Sequence, residues 1–164
     1  MTLDTATIVS ISQFVQREGI LLDDRQWDQW LALYEPQTEY WVPMWDEFGE
    51  PTTDPQRELA LIYYAARSGL EDRIFRIRTG RSSATMPLFR TSHQRTFPVC
   101  EQQADLITAR FNWVTHAFRS GETQAYFGHK TLWLRAHEDS FRIAKSHTIV
   151  CNDVIDQVLD IYHL

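Results

Sequence analysis

The spacing of the apolar residues changes along the chain, and that change limits the possible folds more than any other feature. Through about Ile77 most apolar side chains recur every three or four positions, as on one face of a helix; from about Arg90 they alternate, as on one face of a strand. Helices come first and sheet second, with no βαβ alternation. The expected architecture is therefore α+β: N-terminal helices packed on the concave face of a curved, mainly antiparallel sheet, in one domain spanning residues 1–164.

Asp4 is an acceptable N-cap for a first helix carrying Ile8, Ile11 and Val15 and running to about Glu18, with Gly19 ending it. A second helix is expected from the Asp23-Asp24 pair, with Trp27, Trp30, Leu31 and Tyr34 on one stripe and Pro36 as its stop. Glu39 to Met44 reads as a short strand, with Pro43 suggesting an edge or a strand end, Gln56 to Ala66 as a third helix, and Leu70, Ile74 and Ile77 as a further helix joined to it at Gly69. Beyond these, strands are expected at about His93 to Gln102, around Ile107 to Trp113, from Glu122 to Arg135 with a bend or bulge at Gly128, from Phe141 to Val150, and from Ile155 to Tyr162. Ser120-Gly121 and Glu138-Asp139-Ser140 mark the turns.

The charge pattern excludes some functions and suggests another. A net charge of −6 argues against phosphate-driven nucleic-acid binding. No apolar run approaches the roughly twenty residues of a membrane span, and the first positive charge, Arg17, comes too late for a secretory leader, so a cytoplasmic protein is expected. Residues 1–58 hold twelve acids against three arginines, whereas Arg67, Arg73, Arg76, Arg78, Arg81, Arg90 and Arg95 face only Glu71 and Asp72. Fourteen arginines against two lysines suit specific pairing at a protein interface, because the guanidinium is a rigid planar fork. A solvated face with internal ion pairs explains the same composition. Cys100 and Cys151 are too few for a disulfide framework and are read as buried free thiols.

Each common catalytic motif requires a spacing that this chain lacks. The six glycines are never close enough for a dinucleotide fingerprint or a P-loop, and Gly80-Arg81-Ser82-Ser83-Ala84 is not a nucleophile elbow. His93, His116, His129, His137, His147 and His163 include no close pair of the kind an iron site would use. Asp153, Asp156 and Asp160 read as a solvated edge, and Trp27, Trp30, Tyr34, Tyr40 and Trp41 as core filling.

An ordered series of blocks narrows the reading. Tyr40-Trp41-Val42-Pro43-Met44-Trp45-Asp46, Asp54-Pro55-Gln56-Arg57-Glu58, Leu61-Ile62-Tyr63-Tyr64, Gly69-Leu70-Glu71-Asp72-Arg73, Arg76-Ile77-Arg78-Thr79, Arg90-Thr91-Ser92-His93 and Asp160-Ile161-Tyr162-His163-Leu164 follow one another along nearly the whole chain. This series resembles the small (beta) subunits of Rieske-type aromatic-ring-hydroxylating dioxygenases, in the subgroup acting on benzoate, toluate or anthranilate.

The resemblance implies a cone like that of nuclear transport factor 2, also called cystatin-like, and a non-catalytic subunit of the terminal oxygenase. It implies no catalytic, metal or cofactor residue in this chain. The Rieske 2Fe-2S cluster and the mononuclear non-haem iron are then expected in a large (alpha) subunit, and NADH electrons are expected through a separate reductase. Three large and three small subunits are expected, with copies of this chain around the three-fold. Tyr63, Tyr64, Arg67, Arg73, Arg76, Arg78, Arg81, Arg90 and His93 are the expected subunit contacts. The alternative is a stand-alone cone-fold isomerase or dehydratase, or a small-ligand binding protein, using a His/Asp pair.

Overall fold

The computed structural model describes residues 2–80, 86–155 and 157–164. Helix α1 spans Thr5–Asp23, and the Asp4 carboxylate accepts a 2.7 Å hydrogen bond from the Thr7 amide at its start. The helix continues through Gly19, correcting the expected end there. A side chain at Gly19 would meet His93 Cβ at 2.9 Å and the Arg95 guanidinium at 3.2 Å, so this glycine lets α1 press directly on the sheet.

After α1 the structure departs from the helical reading. Helix α2 is only Trp27–Leu31, and Tyr34 already begins strand β1, Tyr34–Pro43. Trp27, Trp30 and Tyr34 are buried as expected, but on two different elements. The segment expected as a third helix instead contains strand β2, Ala60–Tyr64, paired antiparallel with β1. Helix α3, Arg67–Thr79, buries Leu70, Ile74 and Ile77 and contains Gly69 within it. It ends at Gly80 with φ of 61°, the left-handed conformation that glycine adopts without cost.

The remaining strands are β3 (Arg90–Arg95), β4 (Val99–Gln103), β5 (Leu106–Arg119), β6 (Glu122–His137) and β7 (Ser140–Val150). The single strand expected at 93–102 is thus two, interrupted at Phe97-Pro98, where proline offers no amide to a ladder. The strands run in the order β2-β1-β7-β6-β5-β3, with β4 beside β3 along the same edge of β5. Every pairing is antiparallel except β1 with β7. The sheet is therefore mixed, and α+β holds.

Ser120 and Gly121, with φ of 54° and 83°, make the expected turn between β5 and β6. At Gly128 the chain packs against β7 so tightly that a Cβ would lie 1.9 Å from the Ile149 carbonyl oxygen. The last expected strand is absent among the described residues: 157–160 are irregular and Ile161–His163 form a 3₁₀ turn, with Ile161, Tyr162, His163 and Leu164 all buried. The core lies between the helices and one face of the sheet, with Phe14, Trp30, Tyr34, Tyr40, Phe111, Leu132 and Ile143 among its members.

Candidate functional site

Two regions bear on function: the helix α3 edge, where most expected contact residues lie, and the polar interior of the fold. On the α3 edge, Tyr63 donates its hydroxyl to Glu39 at 3.1 Å and accepts from Gln56, also at 3.1 Å. Tyr64 packs its ring under Gly69, leaving no room there for a side chain. Arg67 binds Glu71 at 2.9 Å and the Tyr34 carbonyl at 2.9 Å. Arg76 is exposed, and Arg78 makes an exposed 2.8 Å pair with Asp28. Phe75, next to Arg76 and 67% exposed, went unmarked in the sequence because helical spacing leaves it off the buried stripe.

Three expected contact residues are placed otherwise. Arg73 turns inward and forms a two-pronged ion pair with Asp160, which corrects the reading of Asp160 as a solvated edge. Asp160 also accepts from the Ile161 amide at 2.8 Å, while His163 Nδ1 accepts from the Asp160 amide at 2.9 Å, so one carboxylate anchors the whole C-terminal turn. Burial, with Arg119 and His93 adding to it, pushes the His163 imidazole down to about 3. Arg90 and His93 lie on β3, at the opposite end of the strand order from β2. Arg90 is exposed over the Phe118 ring, but the His93 side chain is 2% exposed and its Nδ1 lies 2.5 Å from Asp23. Arg81, Ser82, Ser83 and Asp156 lie outside the described residues.

The interior is built around Glu18, which falls on the buried stripe of α1 with Ile11, Val15 and Leu22. Its Oε1 accepts from the Trp30 indole and the Tyr34 hydroxyl, each at 3.0 Å, and its Oε2 pairs with Arg95. Burial alone would raise this carboxyl, but Arg95, Lys130, the Trp30 hydrogen bond and His93 together hold it down at about 2. Arg95 also donates to the Val15 carbonyl at 2.7 Å. Lys130, fully buried on β6, is pushed down to about 8 by burial against the pull of Glu18, so it remains mostly charged at neutral pH. The His93–Asp23 pair matches the His/Asp pair of the alternative reading in composition; here it ties the end of α1 to β3, with Thr91 also donating to Asp23 at 2.8 Å. Burial keeps His93 below the usual imidazole range despite Asp23.

Cys100 and Cys151 are free and half-buried, not fully buried as expected. Among the described residues no three His, Cys, Asp or Glu side chains gather as a metal site. No described helix is long and apolar enough to cross a membrane.

The decisive comparison is with a family described as the ring hydroxylating beta subunit, whose pattern matches residues 17–157. The chain belongs to that family. It is 47% identical to the benzoate 1,2-dioxygenase subunit beta of Acinetobacter baylyi over 163 residues, covering 99% of this chain and 96% of the other. The crystal structure of the beta subunit of the benzoate 1,2-dioxygenase from Burkholderia mallei superposes with a TM-score of 0.80 at 39% identity, covering 100% and 99% of the two chains. An NTF2-like protein with a cystatin-like fold from Novosphingobium aromaticivorans superposes at 0.61 with 16% identity, covering 88% of this chain and 82% of that one; it shares the fold alone. The expected cone is thus the observed fold, and this beta subunit is a component of an oxidoreductase complex with a large partner subunit.

Proposed function

We propose that this chain is the structural subunit of the terminal oxygenase of a two-component dioxygenase that cis-dihydroxylates a benzoate-type aromatic carboxylate. The carrying observation is 47% identity, over 99% of the chain, to a benzoate dioxygenase beta subunit, together with a cone interior occupied by the chain's own Glu18, Trp30, Tyr34 and Arg95. In this reading the Rieske cluster and the mononuclear iron reside in the large subunit, three large and three small subunits assemble, and a separate reductase delivers electrons from NADH. The chain's work is positional, because electron transfer and oxygen chemistry depend on exact spacing between centres held by different subunits.

For the contact surface, the geometry favours Tyr63, Phe75, Arg76 and Arg78, since an exposed aromatic followed by two exposed arginines has the composition of an interface anchor. Tyr64 and Arg67 lie partly covered beside it, and Arg90 would contact a partner separately, from β3. The test is co-expression with a large subunit carrying paired Cys/His cluster ligands, followed by mass measurement and an activity assay. The chain alone should be inert towards benzoate, and iron-dependent turnover should appear only in the co-purified complex. Turnover by the homogeneous chain alone would refute the proposal.

A further inference from the structure

The turn that follows β1 is tightly bonded, yet it holds an aromatic side chain out in solvent. The Asp46 carboxylate accepts from the Phe48 and Glu50 amides, each at 2.9 Å, and the Asp46 amide donates to the Glu50 carbonyl at 2.7 Å. Trp45 fixes the base of the turn by donating its indole N–H to the Val150 carbonyl at 2.7 Å. Phe48 at the tip is 83% exposed, so the turn presents a preformed apolar knob. Glu47 precedes Phe48 and Glu50 follows it by two residues; both are exposed, and no described residue pairs with either carboxylate. Asp54 and Glu58, in contrast, accept from amides of their own loop.

A surface of opposite character lies on the outer face of the sheet at its other end. A notch of about 320 Å3 opens between β3 and β5, lined by Gln94, Thr96, Asn112 and Val114 among others. Phe97, next to Thr96 and 62% exposed, and Val99, opposite Arg110 and 70% exposed, add apolar surface there. Arg110 is exposed on the same face of β5 as Asn112, and no described carboxylate pairs with it. Arg90 is exposed on the same face of β3 as Gln94, and the one acid of β4, Glu101, stands opposite Thr108. The knob follows β1 and the notch adjoins β3, at opposite ends of the strand order, so a contact between them joins two copies head to tail, an arrangement that repeats into a ring.

We propose that a second copy of this chain docks here: Phe48 of one copy enters the β3–β5 notch of the next, with Glu47 and Glu50 set against Arg110 and Arg90. The proposal rests on the reading that three small subunits assemble together, and it supplies their mutual contact while leaving α3 to the large subunit. Charge selects the head-to-tail arrangement, because a two-fold contact of knob on knob would place Glu47 and Glu50 against their own copies.

The experiment uses the full-length chain co-purified with its large subunit. Mass measurement of the native complex first counts the small subunits, and fewer than three per particle would remove both the ring reading and this contact. In Glu47→Cys/Arg110→Cys, which keeps Phe48, a mild oxidant should link the small subunits into covalent dimers and trimers on a non-reducing gel, while each single variant runs as a monomer. Reversing one side, by Glu47→Arg/Glu50→Arg or by Arg90→Glu/Arg110→Glu, should lower the yield of complete particles roughly tenfold, and all four changes in one chain should restore it. Native particles with three small subunits but no linkage in the double-cysteine chain, linkage of Glu47→Cys alone, or linkage to the large subunit would each overturn the proposal and leave the ring reading standing. Equal yields from both reversed chains would do the same.

Discussion

Glu18 of α1 and Arg95 of β3 form an ion pair in which both side chains are 1% exposed, so one helix and one edge strand are joined by charge inside the core. Removing one partner leaves the other buried and uncompensated. Arg95→Met should therefore cost about 3–5 kcal/mol in denaturant unfolding, and adding Glu18→Leu to it should recover a large part of that loss. A single-variant loss below about 1 kcal/mol would show that the pair is not closed in solution.

Acid should weaken the fold through His163. Its folded pKa of about 3 lies below the ordinary 6.5, so the unfolded chain takes up the proton first. The neutral ring's contribution is complete above about pH 6.5 and declines as pH falls toward 3, at up to about 1.4 kcal/mol per pH unit. His93, also held below its usual range, adds a slope of the same sign. Melting temperatures between pH 7.5 and 5 should fall more steeply for the native chain than for His163→Asn.

Gly128→Ala should be among the most damaging single-methyl additions, because its Cβ would collide with backbone and not with a movable side chain. A loss of about 3 kcal/mol, at the upper end for overpacking, is expected in urea unfolding. Gly121→Ala is the comparison. Nothing lies within 4 Å of a Cβ there, so only the positive φ opposes it, and its cost should be clearly smaller.

The α3 surface can be separated from the fold. Phe75→Ser and Arg76→Ala should leave the isolated chain's stability within about 0.5 kcal/mol, since both residues are exposed. Binding to the large subunit should weaken by about 2 kcal/mol for at least one of them, read by titration calorimetry. Unchanged binding for both would move the contact away from α3.

The sheet strands β5, β6 and β7 were readable because each buries one face, so alternation reports them directly. Tyr34 and Leu61 to Tyr64 misled because a short apolar run satisfies helix and strand spacing alike; pairing between β1 and β2 settled the matter, and pairing is not local. The C-terminal turn was missed for the same reason. What holds it is Arg73, distant in sequence from Asp160. The interior charges left a fainter signal. Glu18 sits on the apolar stripe of α1, and Lys130 shares parity with Tyr126, Leu132 and Leu134, so both positions pointed inward. Position on a buried face, not residue type, carries that signal.

The parallel pairing of β1 with β7 also dictates an order of assembly. The hairpins β5–β6 and β6–β7 close over short turns at little entropic cost, whereas β1, which β2 can pair along one edge, must wait along its other edge for a neighbour that begins only at Ser140. During synthesis the ribosome therefore delivers Tyr34, Tyr40 and Trp41 long before their cover exists. Pulse-labelled hydrogen exchange during refolding should register protection in the β5–β7 amides ahead of β1, and the reverse order would mean that the amino-terminal third organises itself unaided.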